Sequence, residues 1–246
     1  MIYRRNSVYS KPGKRDFILT SFPKSGNTWI SFIIANIYNL SAGKYQEIDF
    51  HNIHEINPEL GLEPKKDRVF KEFPQVFLSH QKYNKNFHNV ILMIRDPWDV
   101  LYSYYHYLKG ERKKDISLPE VISHKTYGIH ALVEHNESYF KKCRNLLILT
   151  YERMQKNPLK QIKALMDFMS IKLDESILLE SIRKSDFNSM REVEIRKGRK
   201  YGTKGFLFTR KGVIGEGKIN ICSQPEIDLI IRTAIKSSPF LSYLYL

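Results

Sequence analysis

The feature that most constrains the fold is a regular alternation of short apolar runs with longer helical patterns. Apolar runs lie at 17–20, 90–94 and 146–151, and a further short run lies at 75–79. The run at 90–94 is continuously apolar, as expected of a parallel strand that is buried on both faces. Apolar residues at helical spacing follow three of these runs. This order predicts an α/β fold of three layers, with a central, mostly parallel sheet flanked by helices.

The length of the chain limits the number of domains that it can form. A chain of 246 residues fits one large α/β domain better than two small ones, so a single domain over 1–246 is predicted. Residues 1–16 are basic and polar and are predicted to form a flexible N-terminus. Besides the helices that follow the strands, helices are predicted over roughly 119–141, 175–183 and 225–235, the last closing the chain. The segment 191–218 is rich in Arg, Lys and Gly and is predicted to be a long functional loop.

Charge and cysteine content narrow the classes of partner. The net charge of +14 favours an anionic ligand, nucleic acid or a membrane surface, although lysines scattered for solubility would give the same total. Cys143 and Cys222 are far apart and lack metal-ligand spacing, so reduced thiols and a cytoplasmic location are expected. The basic N-terminus is a poor secretory signal. No run approaches the roughly 20 apolar residues of a membrane span, so any membrane contact is expected to be peripheral.

A candidate phosphate site follows the first apolar run. Residues 21–28 read SFPKSGNT, and an apolar helical stripe starts at Trp29. A strand, a glycine-containing loop and a helix N-terminus together present backbone amides to an anion, and Lys24 adds a full charge. The spacing of a Walker A loop is absent, since the lysine precedes Gly26. From the residues alone, a tight turn with a surface lysine remains the alternative.

A second candidate phosphate site follows the run at 90–94. Arg95 comes directly after it, at the edge where open α/β sheets bind ligands. Asp96 and Pro97 are typical of an N-cap and of a first helical residue. Ser103 lies about two helical turns further along, so a guanidinium and a hydroxyl could converge on one phosphate. The alternative is a structural ion pair of Arg95 with Asp96 or Asp99.

The two candidate sites together resemble the cytosolic sulfotransferase family, enzymes of a P-loop-like fold that use 3′-phosphoadenosine 5′-phosphosulfate (PAPS). The segment TSFPKSGNTW at 20–29 resembles the family's 5′-phosphosulfate loop. The resemblance implies that Lys24 contacts the oxygen bridging phosphorus and sulfur and that Trp29 stacks on adenine. It further implies that the cradle for the donor consists of Ser25, Gly26, Asn27 and Thr28.

Two later segments extend the resemblance. The segment RDPWDVLYSYYH at 95–106 is similar to the family's 3′-phosphate segment, in which the counterparts of Arg95 and Ser103 bind that phosphate. FTRKGVIGEGK at 208–218 resembles the family's late R-K-G-x-x-G loop. By that resemblance, further 3′-phosphate contacts come from Arg210, Lys211 and Gly212. The family usually has tryptophan where Gly217 stands. This chain therefore departs from the family pattern at a position that affects the packing of this loop.

The remaining candidate residues are a base and two nucleotide contacts. His80 follows the run at 75–79, and a histidine has a pKa suited to a general base. The family ends this strand with Lys-Thr-His, so here the histidine is kept while Leu78 replaces the lysine. Tyr151 resembles a family tyrosine near the adenine. Phe187 resembles an aromatic contact to the nucleotide, although Asp186 stands where the family has serine.

The sequence therefore predicts a sulfotransferase that moves a sulfuryl group from PAPS to a hydroxyl or amine, with His80 as base and without a metal. The loops at 41–73 and 110–127 are polar, which favours a polar acceptor such as a glycan, a peptide or a small alcohol. The alternatives are a nucleotide-dependent phosphotransferase and a basic nucleic-acid-binding protein. A stable nucleic-acid partner is not expected, because the informative basic residues lie at strand ends. The sequence leaves the oligomeric state open.

Overall fold

A four-stranded parallel sheet forms the centre of the protein in the computed structural model, which describes residues 12–62, 67–200 and 202–246. In chain order its strands are β1 (Phe17–Thr20), β2 (Val76–Ser79), β3 (Asn89–Ile94) and β4 (Leu146–Thr150). Their spatial order is β2-β1-β3-β4, with Phe17 opposite both Val76 and Asn89 and with Val90 opposite Leu146. The predicted α/β fold with a parallel sheet flanked by helices is confirmed.

Helices cover both faces of the sheet and also make up most of the chain after the last strand. In chain order they are α1 (Asn27–Ser41), α2 (Ile53–Ile56), α3 (Pro97–Gly110), α4 (Leu118–Ser123), α5 (Ile129–Lys142), α6 (Tyr151–Lys156), α7 (Pro158–Phe168), α8 (Glu175–Lys184), α9 (Phe187–Lys197), α10 (Glu216–Cys222), α11 (Pro225–Lys236) and α12 (Pro239–Tyr245). Among these described residues no helix is both long and apolar enough to cross a membrane.

Three of the sequence-based element assignments are wrong. The single helix predicted over 119–141 is two helices, α4 and α5, because the chain turns at 124–128, where the Gly128 amide hydrogen-bonds to the carbonyl of His124. A Cβ at Gly128 would lie 2.3 Å from the Ile122 carbonyl oxygen, so the turn leaves no room for a side chain. The segment 191–218 is a loop only between α9 and α10, and α12 closes the chain after α11.

Local chemistry places the elements that carry the site. The side chain of Asp96 accepts a hydrogen bond from the backbone amide of Trp98 at 3.0 Å, which caps α3 as its sequence predicted. Thr150 ends β4 and caps α6 through the amide of Arg153 at 3.2 Å. Of the N-terminus predicted to be flexible, residues 1–11 lie outside the described residues, whereas Asp16 is buried and forms an ion pair with Arg68 at 2.8 Å.

The apolar core fixes the sheet between two layers. On one face, side chains of β1 and β3 such as Leu19 and Ile91 pack with α1, α7 and α8. On the other face, Ile18 and Leu92 pack with Tyr139 of α5. A third cluster joins α3, α4, α5 and α11. In open α/β sheets with both faces covered, ligands bind at the edge formed by the carboxyl ends of the strands.

Candidate active site

The residues that directly follow the four strands meet at the carboxyl edge of the sheet. Ser21, His80, Arg95 and Tyr151 come one residue after β1, β2, β3 and β4, respectively. The last three of these line a cavity of about 1180 Å³ that also reaches the loops after α3 and α9. The parallel topology therefore gathers residues from four distant segments into one site.

The loop between β1 and α1 has a strained backbone. Lys24 has φ of 74°, a conformation that is uncommon outside glycine and asparagine and that concentrates at functional sites. Gly26 has φ of 113°, and a Cβ there would lie 3.0 Å from both Met93 and Tyr151. The side-chain nitrogen of Asn27 donates to the carbonyl of Ser79 at 3.2 Å, which ties the loop to β2. These contacts hold the loop against the sheet and direct Lys24 into the cavity.

The ammonium group of Lys24 lies among aromatic rings. Its Nζ is 3.6 Å from the ring centroid of Phe208 and 4.8 Å from that of Tyr107. Desolvation, followed by repulsion from Arg199 and Arg95, lowers the pKa of Lys24 to about 7. A lysine with this pKa can gain or lose a proton near neutral pH, and an incoming anion favours its charged form.

His80 is oriented by the loop that holds Lys24. Its Nδ1 lies 2.8 Å from the carbonyl oxygen of Ser21. Because a carbonyl can only accept, Nδ1 carries the proton and Nε2 holds the lone pair of the neutral ring. The side chain of His80 is exposed to the cavity, so its desolvation is incomplete. This desolvation by surrounding protein atoms, together with the charge of Lys24, nevertheless lowers the pKa of His80. A neutral ring with an unprotonated Nε2 has the form required of a general base.

Arg95 is held in the cavity wall by contacts with three other segments of the chain. Its Nη2 donates to the carbonyl of Val213 at 2.8 Å and lies 3.4 Å from Oδ2 of Asp99. Its guanidinium is 4.2 Å from the ring centroid of Tyr151. Asp99 mainly accepts from the backbone amides of Gly215 at 2.8 Å and Gly217 at 2.7 Å. The ion pair left open by the sequence therefore exists, but the carboxylate chiefly anchors the loop before α10 to α3.

A buried carboxylate fixes the loop that covers Lys24. Glu194 of α9 accepts from the backbone amides of Phe208 at 2.7 Å and Thr209 at 2.9 Å. Arg199 bridges this carboxylate at 2.9 Å to Glu111 at 2.6 Å, which lies after the C-terminus of α3. This arrangement keeps the ring of Phe208 over the ammonium group of Lys24.

Two further cations of the site share one carboxylate. Glu216, the first residue of α10, pairs with Arg210 and lies 2.7 Å from Nζ of Lys211. The bonds from Arg210 and then from Lys211 lower the pKa of Glu216 to about 2. The carboxylate is therefore ionised at neutral pH and partly neutralises both cations. An anionic ligand would have to compete with Glu216 for them.

A model of the sulfotransferase domain matches residues 14–222, which is most of the chain. The chain belongs to the sulfotransferase family. Sulfotransferase 1B1 of Mus musculus is 27% identical over 242 residues, covering 87% of this chain and 79% of that protein. Cytosolic sulfotransferase 17 of Arabidopsis thaliana is 25% identical over 273 residues, covering 95% and 78%. The crystal structure of mouse sulfotransferase SULT7A1 complexed with PAP shares the fold, with a TM-score of 0.68 at 20% identity over 95% of this chain and 89% of that one.

Membership of this family confirms the prediction of a sulfotransferase enzyme that uses PAPS. The structure brings all of the sequence-predicted site residues except Ser25 to the wall of one cavity. Those that line it are Lys24, Gly26, Asn27, Thr28, Trp29, His80, Arg95, Ser103, Tyr151, Phe187, Arg210, Lys211 and Gly212. Ser25 is buried beneath its loop.

Two of the three departures from the family pattern, Asp186 and Gly217, have structural explanations. Asp186 caps α9 by accepting from the amide of Ser189 at 2.7 Å, so its carboxylate serves the helix. Gly217 packs on the backbone of Trp98, and a Cβ there would lie 2.2 Å from the Trp98 carbonyl oxygen. The first turn of α10 thus approaches α3 closely without a side chain at 217.

The residues that support the site from behind were not predicted from the sequence. Glu194, Glu111 and Arg199 are far apart in the chain, so no local pattern joins them. One signal was available, because Glu194 lies four residues after Met190 on the buried face of α9. An acidic residue in an apolar stripe indicates a buried charge with partners.

Proposed function

We propose that this cavity binds PAPS and transfers its sulfuryl group to an acceptor, with His80 as the general base and Lys24 as the cation at the leaving oxygen. The observation that carries the proposal is the pairing of His80 with the loop of Lys24. The carbonyl of Ser21 accepts from Nδ1 of His80, so the basic Nε2 is presented beside the candidate phosphosulfate loop.

The proposed step is a direct in-line displacement. Nε2 of His80 takes the proton of the acceptor hydroxyl or amine as that oxygen or nitrogen forms a bond to sulfur. The bond between sulfur and the bridging oxygen breaks, and the electron pair stays with the 5′ phosphate of adenosine 3′,5′-bisphosphate. The charged form of Lys24 stabilises the negative charge that grows on this oxygen. The step needs no metal ion.

The nucleotide would lie between two groups of cavity residues. Trp29 and Tyr151, whose ring centroids are 5.5 Å apart, would hold the adenine. Arg95 and Ser103 would bind the 3′ phosphate, with further contacts from the 210–212 loop. Within the described part of the chain, the buried Nε of Arg95 has no hydrogen-bond partner. A buried donor of this kind is costly unless a ligand or water satisfies it, which supports an anion at this position.

A polar acceptor and a cytosolic location belong to the proposal. Cavity residues from the two polar loops, including Glu59 and Lys114, support a polar acceptor. The plant relatives named as cytosolic sulfotransferases support the location.

The test is calorimetric titration with adenosine 3′,5′-bisphosphate beside 5′-AMP and ATP, using the wild type, Arg95→Ala and His80→Ala. We expect the bisphosphate to bind more tightly than 5′-AMP, and this preference to fall by about ten- to a hundredfold in Arg95→Ala, as for loss of a charge-assisted phosphate contact. His80→Ala should keep nucleotide affinity but lose sulfuryl transfer. Equal binding of the three nucleotides, or full turnover in His80→Ala, would contradict the proposal.

A further inference from the structure

A pair of cations lines the cavity beyond the proposed donor site. Arg112 and Lys114 follow the C-terminus of α3, and both side chains are exposed. The helix rises about 1.5 Å per residue, so Gly110 at its end lies roughly 10 Å along the axis from Ser103, and Arg112 follows two residues later. The pair therefore follows the end of α3, whereas Arg95 of the proposed donor site precedes its start.

The segment that presents these cations is anchored. The amide of Lys114 donates to the carbonyl of Leu108 at 3.0 Å, and the amide of Arg112 donates to that of Tyr107 at 3.3 Å. Glu111, between them and α3, is buried and accepts from Arg199 at 2.6 Å. The side chain of Arg112 also donates through Nε to the hydroxyl of Tyr107 at 3.1 Å. The two charges are thus held at a defined place on the cavity rim.

An aromatic wall connects the pair to the reacting groups. The ring centroids of Tyr104 and Tyr107 are 6.0 Å apart, and those of Tyr104 and Tyr127 are 5.4 Å apart. The Nζ of Lys114 is 5.3 Å from the centroid of Tyr127. The guanidinium carbon of Arg112 and Nζ of Lys24 lie 5.6 and 4.8 Å from the same Tyr107 centroid, which places them within about 10 Å of each other. This upper limit is about the length of a substituted six-membered ring.

Three other cations of the cavity pair with carboxylates, whereas these two do not within the described residues. Arg95 pairs with Asp99, and Glu216 pairs with both cations of the 210–212 loop. Within residues 12–62, 67–200 and 202–246, neither Arg112 nor Lys114 forms an ion pair with a carboxylate. Their charges remain available to a ligand that enters from this side of the cavity.

We propose that the acceptor of this sulfotransferase carries an oxyanion, a carboxylate or its phosphate or sulfate equivalent, which Arg112 and Lys114 bind. The ring of the acceptor packs on Tyr104 and Tyr107, and its nucleophilic hydroxyl lies about one ring length from the oxyanion, beside His80. The inference rests on the proposed function, since it assigns the acceptor end of the same cavity. It makes Arg112 and Lys114 specificity-determining residues.

The experiment compares acceptors that differ only in charge. 4-Hydroxyphenylacetate is paired with 4-hydroxyphenylacetamide, and methyl glucuronoside is paired with methyl glucoside. Binding of each to the enzyme saturated with adenosine 3′,5′-bisphosphate and kcat/KM with PAPS are measured for the wild type and for Arg112→Gln/Lys114→Gln. Lys113→Gln is the control, because it removes one charge from the same loop at a residue that is not among those lining the cavity.

We expect the wild type to prefer the anionic member of at least one pair by about tenfold, as two charge-assisted but exposed contacts would provide. The preference should fall to about twofold or less in the double variant, persist in Lys113→Gln, and weaken with added salt. The absence of such a preference in both pairs, or its survival in the double variant, would overturn the inference. Loss of bisphosphate binding in the wild type would instead overturn the proposed function, so the two failures are distinguishable.

Discussion

Binding of adenosine 3′,5′-bisphosphate at pH 8 should take up nearly one proton, and the group that takes it up is Lys24. Its pKa is lowered to about 7, chiefly by desolvation and then by Arg199 and Arg95. The rings of Phe208 and Tyr107 favour the cation by about 1–2 kcal/mol each, which opposes part of this desolvation. Lys24 is therefore mostly neutral at pH 8 before the nucleotide binds.

The size of the effect follows from this pKa. About one-tenth of the Lys24 side chains are protonated at pH 8 in the free protein, and a bound 5′ phosphate raises the pKa towards its ordinary value near 10. The expected uptake is about 0.9 proton at pH 8 and about 0.5 at pH 7, after correction for the nucleotide's own phosphates. Because binding takes up a proton, the affinity for the nucleotide should fall by up to about tenfold per pH unit above pH 7. This fall should stop once the pH passes the pKa of Lys24 in the complex.

Calorimetry in buffers of different ionisation enthalpy measures this uptake directly, as the slope of observed enthalpy against buffer enthalpy. Lys24→Arg is the matched control, since it keeps the charge but does not titrate in this range. We expect the slope to fall near zero in that variant. A wild-type slope below about 0.2 proton at pH 8 would contradict the lowered pKa, because Lys24 would then already be charged in the free protein.

Three further variants test the surroundings of the site. Glu216→Gln should bind the bisphosphate about three- to tenfold more tightly in calorimetry, because the competing carboxylate is removed; unchanged affinity would argue against that competition. Gly217→Ala should lower the free energy of unfolding in urea by about 1–3 kcal/mol, since a Cβ at that position would lie 2.2 Å from the carbonyl of Trp98; an unchanged midpoint would mean that the backbone relaxes freely. Glu194→Gln should destabilise by about 2–4 kcal/mol, because an amide cannot accept all of the bonds from Arg199, Phe208 and Thr209; a loss below about 0.5 kcal/mol would argue against its anchoring role.

Local chemistry explains what could be predicted from the sequence. The start of α3 followed from Asp96 and Pro97, because a cap and a preset φ act within a few residues. The strands followed from short apolar runs, and the parallel order then placed His80 and Arg95 at one edge. The break before α5 had only a partial signal, since Ser117 and Glu120 form the capping box of the helix before it.

Long-range contacts explain what could not be predicted. The segment after Phe187 contains many charged and glycine residues, and its sequence alone does not distinguish a helix from a loop. Helix α9 forms there because Asp186 caps it and because Met190 and Glu194 are buried against the rest of the protein. The partners of Glu194 depend on tertiary folding, so its role as an anchor appears only in the structure.

Helix α3 is 14 residues long and contributes to both ends of the cavity. Arg95 lies just before its first turn, and Arg112 lies just beyond its last. The number of residues in α3 therefore sets the distance and the angle between the two ends of the cavity, in steps of about 1.5 Å and 100° per residue. Adding or removing one residue near its C-terminus would rotate the proposed acceptor end of the cavity about the helix axis by one such step. The proposed donor end would stay in place. Relatives with the same donor chemistry could thus acquire acceptors of different length through changes in this one helix.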